Sequence, residues 1–262
     1  MFTKYILNLD DNLFNDLIKL SQLENISNGR KGAVLIDYKN NRIPIIRTTT
    51  QYKYPSQKFN SIHYDIIKSI KNITNINDLE FNNALIEVYD STYRTMKEHT
   101  DQALDIADNS YICLYSCYNN IISNNIISNN KPLNNKKKYI RTLQIKEKEN
   151  INNKYNISLE HNSIVIFSKD INKSFLHKII LNNNKLSGDL WLGITFRLSK
   201  TYIQFINEIP YFINSNIQLQ LATEEEKKDF FIYKQLENKL INFTYPTLFY
   251  TISIGDILNV NI

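Results

Sequence analysis

His99 and Asp101 stand two residues apart in the run KEHTDQALD. In extended backbone such residues leave the same face of a strand with Cα atoms about 7 Å apart, so an imidazole and a carboxylate converge there. One further histidine would complete a set of two imidazoles and one carboxylate, which holds Fe(II) on one face and leaves positions open for O2 and a co-substrate. The chain has four histidines, His63, His99, His161 and His177, and the two that follow the pair on later strands are His161 and His177. His161 lies in the tight turn EHNS, whereas His177 opens the apolar run HKIIL, so His177 is read as the distal ligand. His63 is read as a surface residue on the edge of a helix. Arg197 follows His177 by 20 positions. On one strand Trp191, Gly193, Thr195, Arg197 and Ser199 share a face, and the small residues leave room beneath the guanidinium for a dicarboxylate. Zn or Mn would accept the same donors, but an open-sided site followed by a carboxylate clamp favours iron.

For these groups to meet, several strands must lie side by side. From residue 81 onward the apolar period is close to two: ALIEVY (84–89), YICLYSCY (111–118), YIRTLQIK (139–146), SIVIF (163–167), HKIIL (177–181) and DLWLGITFRL (189–198). Short runs of this kind separated by Asn-rich turns predict a β-sandwich or jelly roll. Helices flank them. Leu13, Phe14, Leu17, Ile18 and Leu20 recur at helical spacing over 10–23, and Ile62, Ile66, Ile67 and Ile70 do so over 61–72. A third helix is expected over 222–240, with Thr223 as N-cap and three glutamates in its first turn. AVLIDY, IPIIRTTT and YTISIGDIL read as further strands. The segment 119–138, with its repeated IISNN, reads as an inserted surface loop. The order predicts one domain over 1–262, of mainly β or α+β class: helical and lid elements over 1–80, the jelly-roll core over 81–200, and a helix and strand over 201–262.

With 42% hydrophobic and 22% charged residues the chain can bury a full core. Its five glycines, Gly29, Gly32, Gly188, Gly193 and Gly255, match neither a Walker loop nor a dinucleotide fingerprint, which excludes those nucleotide-binding folds. The 38 asparagines point to an AT-rich genome. The net charge of +5 suits an acidic partner, although Lys136, Lys137 and Lys138 carry part of it in a solvated loop. Cys113 and Cys117, about 13 Å apart on one strand, are core residues too far apart for a disulfide. With no apolar run of membrane-spanning length and no signal-type start, the sequence predicts a soluble protein of a reducing, intracellular compartment.

His99-Thr100-Asp101, the distal His177 and the run GITFRLS (193–199) together resemble the Fe(II)- and 2-oxoglutarate-dependent dioxygenases, and within them the AlkB-like branch. Tyr89 in LIEVY matches a tyrosine that AlkB-like proteins direct at the co-substrate. The resemblance spans roughly residues 81 to 200. It implies a double-stranded β-helix, iron on His99, Asp101 and His177, and 2-oxoglutarate held by Arg197, Ser199 and Tyr89, with O2 as the oxidant. Two positions depart from the pattern. AlkB repair enzymes carry a second arginine where this chain has Trp191, and an asparagine where it has Glu87.

The resemblance implies oxidative hydroxylation or N-demethylation. RTTTQYKYPSQKF (47–59) is the candidate lid. Its Arg47, Lys53 and Lys58 would meet phosphate, and Tyr52, Tyr54 and Phe59 would either stack on a methylated nucleobase or pack the lid onto the sheet. A protein side chain or a small metabolite is the other substrate class. A binding module that keeps the jelly roll without turnover is the alternative outside enzymes.

Overall fold

The computed structural model of the chain describes residues 1–10, 13–119, 141–150, 152–182 and 190–260. The alternating segments form a large sheet in the order β1 (Thr3–Ile6), β10 (Ser163–Ser168), β7 (Tyr111–Tyr118), β12 (Trp191–Arg197), β6 (Asn83–Tyr89), β3 (Arg30–Ile36) and β2 (Glu24–Ser27). Neighbours along this path are antiparallel, and the short β5 (Gln57–Lys58) adds to β3 in parallel. A second antiparallel sheet runs β11 (Phe175–Leu181), β8 (Arg141–Glu147), β9 (Lys154–Ser158). A third consists of β14 (Ile209–Phe212), β13 (Thr201–Ile206) and β4 (Ile43–Ile45), while β15 (Gln220–Leu221) pairs with β16 (Tyr250–Thr251).

The period of two gives the large sheet two apolar faces. One face carries Ala84, Ile86, Cys113, Tyr115, Leu192, Ile194 and Phe196, packed with Phe14 and Leu17 of α1 (Leu13–Lys19) and Ile66, Ile67 and Ile70 of α2 (Ser61–Thr74). From the other face Leu114, Val165, Phe167 and Trp191 meet Leu143 and Ile145 of β8 and Ile179 of β11. Each such buried side chain contributes roughly 1.5–3 kcal/mol relative to exposure. The result is mostly β and jelly-roll-like, with helices covering the outer face of the large sheet and the inner faces of the two sheets turned toward each other. Both cysteines are free and buried, as the spacing predicts.

Asparagine does here what glycine does elsewhere. Of nine non-glycine residues with positive φ among those described, seven are Asn: Asn40, Asn41, Asn75, Asn109, Asn162, Asn207 and Asn216. Asparagine tolerates this backbone better than other side chains do, so a chain with few glycines still turns. Asn75 ends α2 in this way, its backbone N–H donating to Lys71 O. α4 (Glu224–Lys239) starts on Thr223, whose hydroxyl accepts from Glu226 N–H while the Glu226 carboxylate accepts from Thr223 N–H.

Several expectations are corrected. Strands β1, β2, β9, β13 and β14 were not anticipated, because edge segments such as KYNIS mix charge with apolar residues and show no clean period. The polar stretch SKDINKSF between β10 and β11 folds mostly as a short helix, α3 (Lys169–Ser174), capped by Ser168. IPIIRTTT is a strand only over Ile43–Ile45, since the Arg47 N–H leaves the ladder to donate to the Asp105 carboxylate at 2.7 Å. YTISIGDIL bends after Thr251 into a 3-10 turn over Ile254–Ile257, which brings Gly255 N–H to Tyr52 O; a Cβ at Gly255 would lie 2.2 Å from Tyr54 O. The segment 120–140, with Lys136, Lys137 and Lys138, lies outside the described residues, as does Gly188.

His63 is buried, not on the surface. Its Nδ1 accepts from the Asn60 N–H at 3.1 Å while the Asn60 side chain accepts from His63 N–H, a capping box with imidazole in the usual glutamate position. Burial pushes its pKa down to about 4, below the ordinary value near 6.5. The stability of the neutral form is therefore complete above about pH 6.5 and drains as pH falls toward 4, by up to roughly 3 kcal/mol. His63→Gln keeps an acceptor at the cap and has no proton to gain. Urea denaturation between pH 7 and 4 should show a smaller loss of stability for the variant than for the parent, and equal losses would refute the assignment.

Candidate metal centre

His99 and His177 are held side by side by backbone. His99 N–H donates to His177 O at 3.1 Å and His177 N–H donates to His99 O at 2.8 Å, an antiparallel bridge that places the two rings 4.7 Å apart between centroids. His177 Nε2 lies 3.5 Å and His99 Nε2 3.9 Å from Asp101 Oδ1. One ligand atom from each of His99, Asp101 and His177 lies within 4.8 Å of the others. His161 is elsewhere, its Nδ1 accepting from Tyr118 N–H.

The local order around the three donors is built from side chains. The segment 97–103 belongs to no regular strand. His99 Nδ1 faces Lys97 O at 2.9 Å, so the proton sits there and the Nε2 lone pair points at the site. The Asn172 amide of α3 brackets the Asp101 backbone, accepting from its N–H and donating to its carbonyl, both at 2.8 Å. From α4, Asn238 accepts from Thr100 N–H, Lys234 donates to Thr100 O, and the Glu237 carboxylate accepts from Ala103 N–H. None of these supports shows in the sequence as a motif. Asn172 falls in a polar stretch, and the sequence of α4 reads as a capped helix with no hint of its target.

Electrostatics favour ligation. Desolvation, together with the nearby His177 and Lys234 charges, holds His99 down to about 3, so its imidazole is neutral near pH 7. Burial alone would raise the Asp101 carboxyl, but the His177 hydrogen bond and the Arg197 charge outweigh it and keep the group well below the usual carboxylate range. Asp101 Oδ2 and His177 Nδ1 are buried without a hydrogen-bond partner among the described residues. An ionised carboxylate with an orphaned oxygen beside two imidazoles, that of His99 neutral, fits a divalent cation.

Arg197 lies next to this set, its Nη1 3.9 Å from Asp101 Oδ2, while its Nε and Nη2 are buried and unpartnered among the described residues. A cavity of about 720 Å³ opens over these groups, lined by His99, Asp101, His177, Arg197, Thr195, Gly193 and Trp191 and by Leu114, Leu143, Phe167 and Ile179 from the two sheets. The shared face of β12 is therefore as the spacing predicts from Trp191 to Arg197. It ends there. Ser199 lies past the strand, where its hydroxyl donates to Ile45 O and its N–H to Asn82 Oδ1, and it does not line the cavity. Tyr89 is fully buried behind the wall, its hydroxyl donating to Glu87 Oε2 at 2.6 Å and its ring 4.8 Å from Trp191.

The lid residues divide as well. Thr48, Thr49, Thr50 and Gln51 line the cavity, but Arg47 is buried in a bidentate pair with Asp105 and donates to Leu248 O and Tyr250 O, so it has no free face for phosphate. Tyr52 is buried. Lys53 is exposed, and Lys58 extends over the Tyr38 ring; neither lines the cavity.

No protein-family model and no curated sequence matches the chain. Among solved structures, that of OsALKBH1, an AlkB homologue, superposes with a TM-score of 0.50 over 75% of this chain and 97% of that chain, at 11% identity. At that identity the likeness shows a shared fold. Within the described residues, no helix is long and apolar enough to cross a membrane.

Asn172 gives the site a test independent of any reaction. Asn172→Ala removes both bonds to the Asp101 backbone, each worth about 1 kcal/mol to stability, and frees the carboxylate from its orientation. Mn(II) affinity measured by calorimetry should fall about 10–100-fold, the range seen when the support of a ligand is lost. Unchanged affinity would mean that Asp101 is positioned by other contacts.

Proposed function

We propose that the chain is an Fe(II)- and 2-oxoglutarate-dependent oxygenase of AlkB-like type, a single double-stranded β-helix domain that hydroxylates or N-demethylates its substrate. The observation that carries this reading is the meeting of His99, Asp101 and His177 in one cavity with Arg197, whose Nε and Nη2 have no partner among the described residues. The AlkB-like fold supports it. Iron with a bound 2-oxo acid supplies the oxidising power: O2 converts 2-oxoglutarate to succinate and CO2, and the second oxygen atom enters a C–H bond of the substrate.

The residues of the chain do the rest. His99, Asp101 and His177 would hold the ion on one side and leave the cavity side open. Arg197, beside Asp101, offers two N–H-bearing nitrogens to a carboxylate at the metal end of the cavity. Leu114, Leu143, Phe167 and Ile179 keep the inner wall apolar, which excludes water and strengthens those charge contacts. The mouth combines Thr48, Thr49, Thr50 and Gln51 with Lys97, Phe231 and Gln235. A nucleic acid would meet Lys53 and Lys58 of the lid, since Arg47 is engaged by Asp105. A methylated base is therefore one substrate class, and a protein side chain or metabolite the other.

Anaerobic reconstitution with Fe(II) and 2-oxoglutarate, followed by O2, tests the reaction. Succinate formation in the absence of substrate should fall to background in His99→Ala and His177→Ala and persist in His161→Ala; the reverse pattern for the last two would move the distal ligand. Arg197→Ala should raise the 2-oxoglutarate requirement about tenfold or more, because charge-assisted bonds are lost where water is excluded. Lys at the same position should restore only part of it, lacking the planar fork. Methylated single-stranded DNA, methylated RNA and a cell extract, offered in parallel, identify the substrate class. Turnover on a polymer should weaken with salt as phosphate contacts release counterions. Formaldehyde marks demethylation.

A further inference from the structure

Arg197 lies 3.9 Å from the metal-ligand candidate Asp101, so its guanidinium serves the metal end of the cavity. A five-carbon diacid held there by its 2-oxo acid end still carries a second carboxylate, two methylenes further on. That group needs a cation where water is excluded. The remaining cations lining the cavity are Arg30, Lys97 and Lys234. Lys234 is engaged by Thr100 O and the Glu237 carboxylate, and Lys97 stands at the rim.

Arg30 sits on the inner wall, and the sheet register shows where. Tyr89 on β6 is the direct partner of Trp191 on β12 and of Arg30 on β3, so the three stand in one row across the sheet. Position 191 itself carries no cation: its indole lies over Gly193, where a Cβ would come within 2.2 Å of the ring, and its Nε1 donates to Ser116 Oγ at 2.7 Å. Two strands along the same row, Arg30 supplies a guanidinium. Its Nε donates to Glu87 Oε1 at 2.8 Å, its Nη2 also bonds that oxygen and reaches Thr50 Oγ1, and the other Glu87 oxygen is taken by the Tyr89 hydroxyl. Glu87 thus fixes the direction of Arg30 with one oxygen.

The geometry points to Arg30 as the residue that recognises the distal carboxylate of the co-substrate, with Glu87 as its positioning residue; this rests on the 2-oxo acid reading above. The same pair sets the specificity. Glu87 also places a negative charge beside the subsite, so it orients Arg30 while limiting how tightly a dicarboxylate is held.

The test is calorimetric binding to the full-length, Mn(II)-loaded chain of 2-oxoglutarate and of 2-oxovalerate, which keeps the five carbons but ends in a methyl group. The parent should bind 2-oxoglutarate at least about tenfold more tightly, the scale of one charge-assisted pair. In the double variant Arg30→Met, Glu87→Gln, which leaves no buried charge unpaired, that preference should vanish while 2-oxovalerate binds as before. Glu87→Gln alone should widen the preference. Equal affinities in the parent, or a preference that survives the double variant, would overturn the role of Arg30. If neither acid binds the metal-loaded parent, the 2-oxo acid reading falls and this inference falls with it.

Discussion

The reciprocal pair of backbone hydrogen bonds between His99 and His177 is the constraint on which the site depends. Two N–H···O bonds in one antiparallel bridge leave no freedom of register, and a slip of one residue would send either imidazole to the opposite face. Yet the 97–103 segment is not a strand in its own right. The Thr100 and Asp101 N–H and carbonyl groups and the Ala103 N–H are bonded by side chains of α3 and α4, so the helices act as scaffolding for this extended chain. Much of that scaffolding lies more than 130 positions away in sequence, which makes the centre a product of the completed fold.

Two buried arginines, Arg47 and Arg197, and the half-buried Arg30 show how charge is distributed to allow one of them to act. Arg47 is saturated: Asp105 takes it bidentately and two carbonyls accept its Nη1. It ties the chain before Thr48 to the segment after Asp101 and to residues 248 and 250. Arg30 is partly engaged, through Glu87 and Thr50. Of these three, Arg197 is the one with buried nitrogens that have no partner among the described residues, and it faces the cavity. A buried guanidinium left without acceptors is costly, and a site that binds an anion is the ordinary reason for tolerating it.

What the sequence reveals follows from how local each determinant is. The period of two marks β6, β7, β10 and β12 almost to the residue, because both faces of those strands are buried. The shared face of Trp191, Gly193, Thr195 and Arg197 is likewise a property of a single strand, and the His-x-Asp spacing needs only three residues of extended chain. Alternation alone would carry the shared face on to Ser199, but alternation holds only while the strand lasts, and β12 ends at Arg197. Arg47, expected to meet phosphate, is engaged for a reason the local sequence does not show: its partner Asp105 is 58 positions away and nothing local announces the pair. The buried His63 belongs to the same class, since an imidazole is not the usual closing residue of a capping box.

The tight packing of Trp191 connects these levels. Its indole needs the absence of a side chain at Gly193, the hydroxyl of Ser116 and the ring of Tyr89, each contributed by the central strands β12, β7 and β6. That apolar ring lines the cavity six positions along β12 from Arg197. A charged ligand group reaching that level therefore cannot be met from β12 and must be met from β3, across Tyr89. The identity of one core residue thus decides which strand can supply a charge to the cavity, and packing in the sheet becomes a determinant of what the cavity can hold.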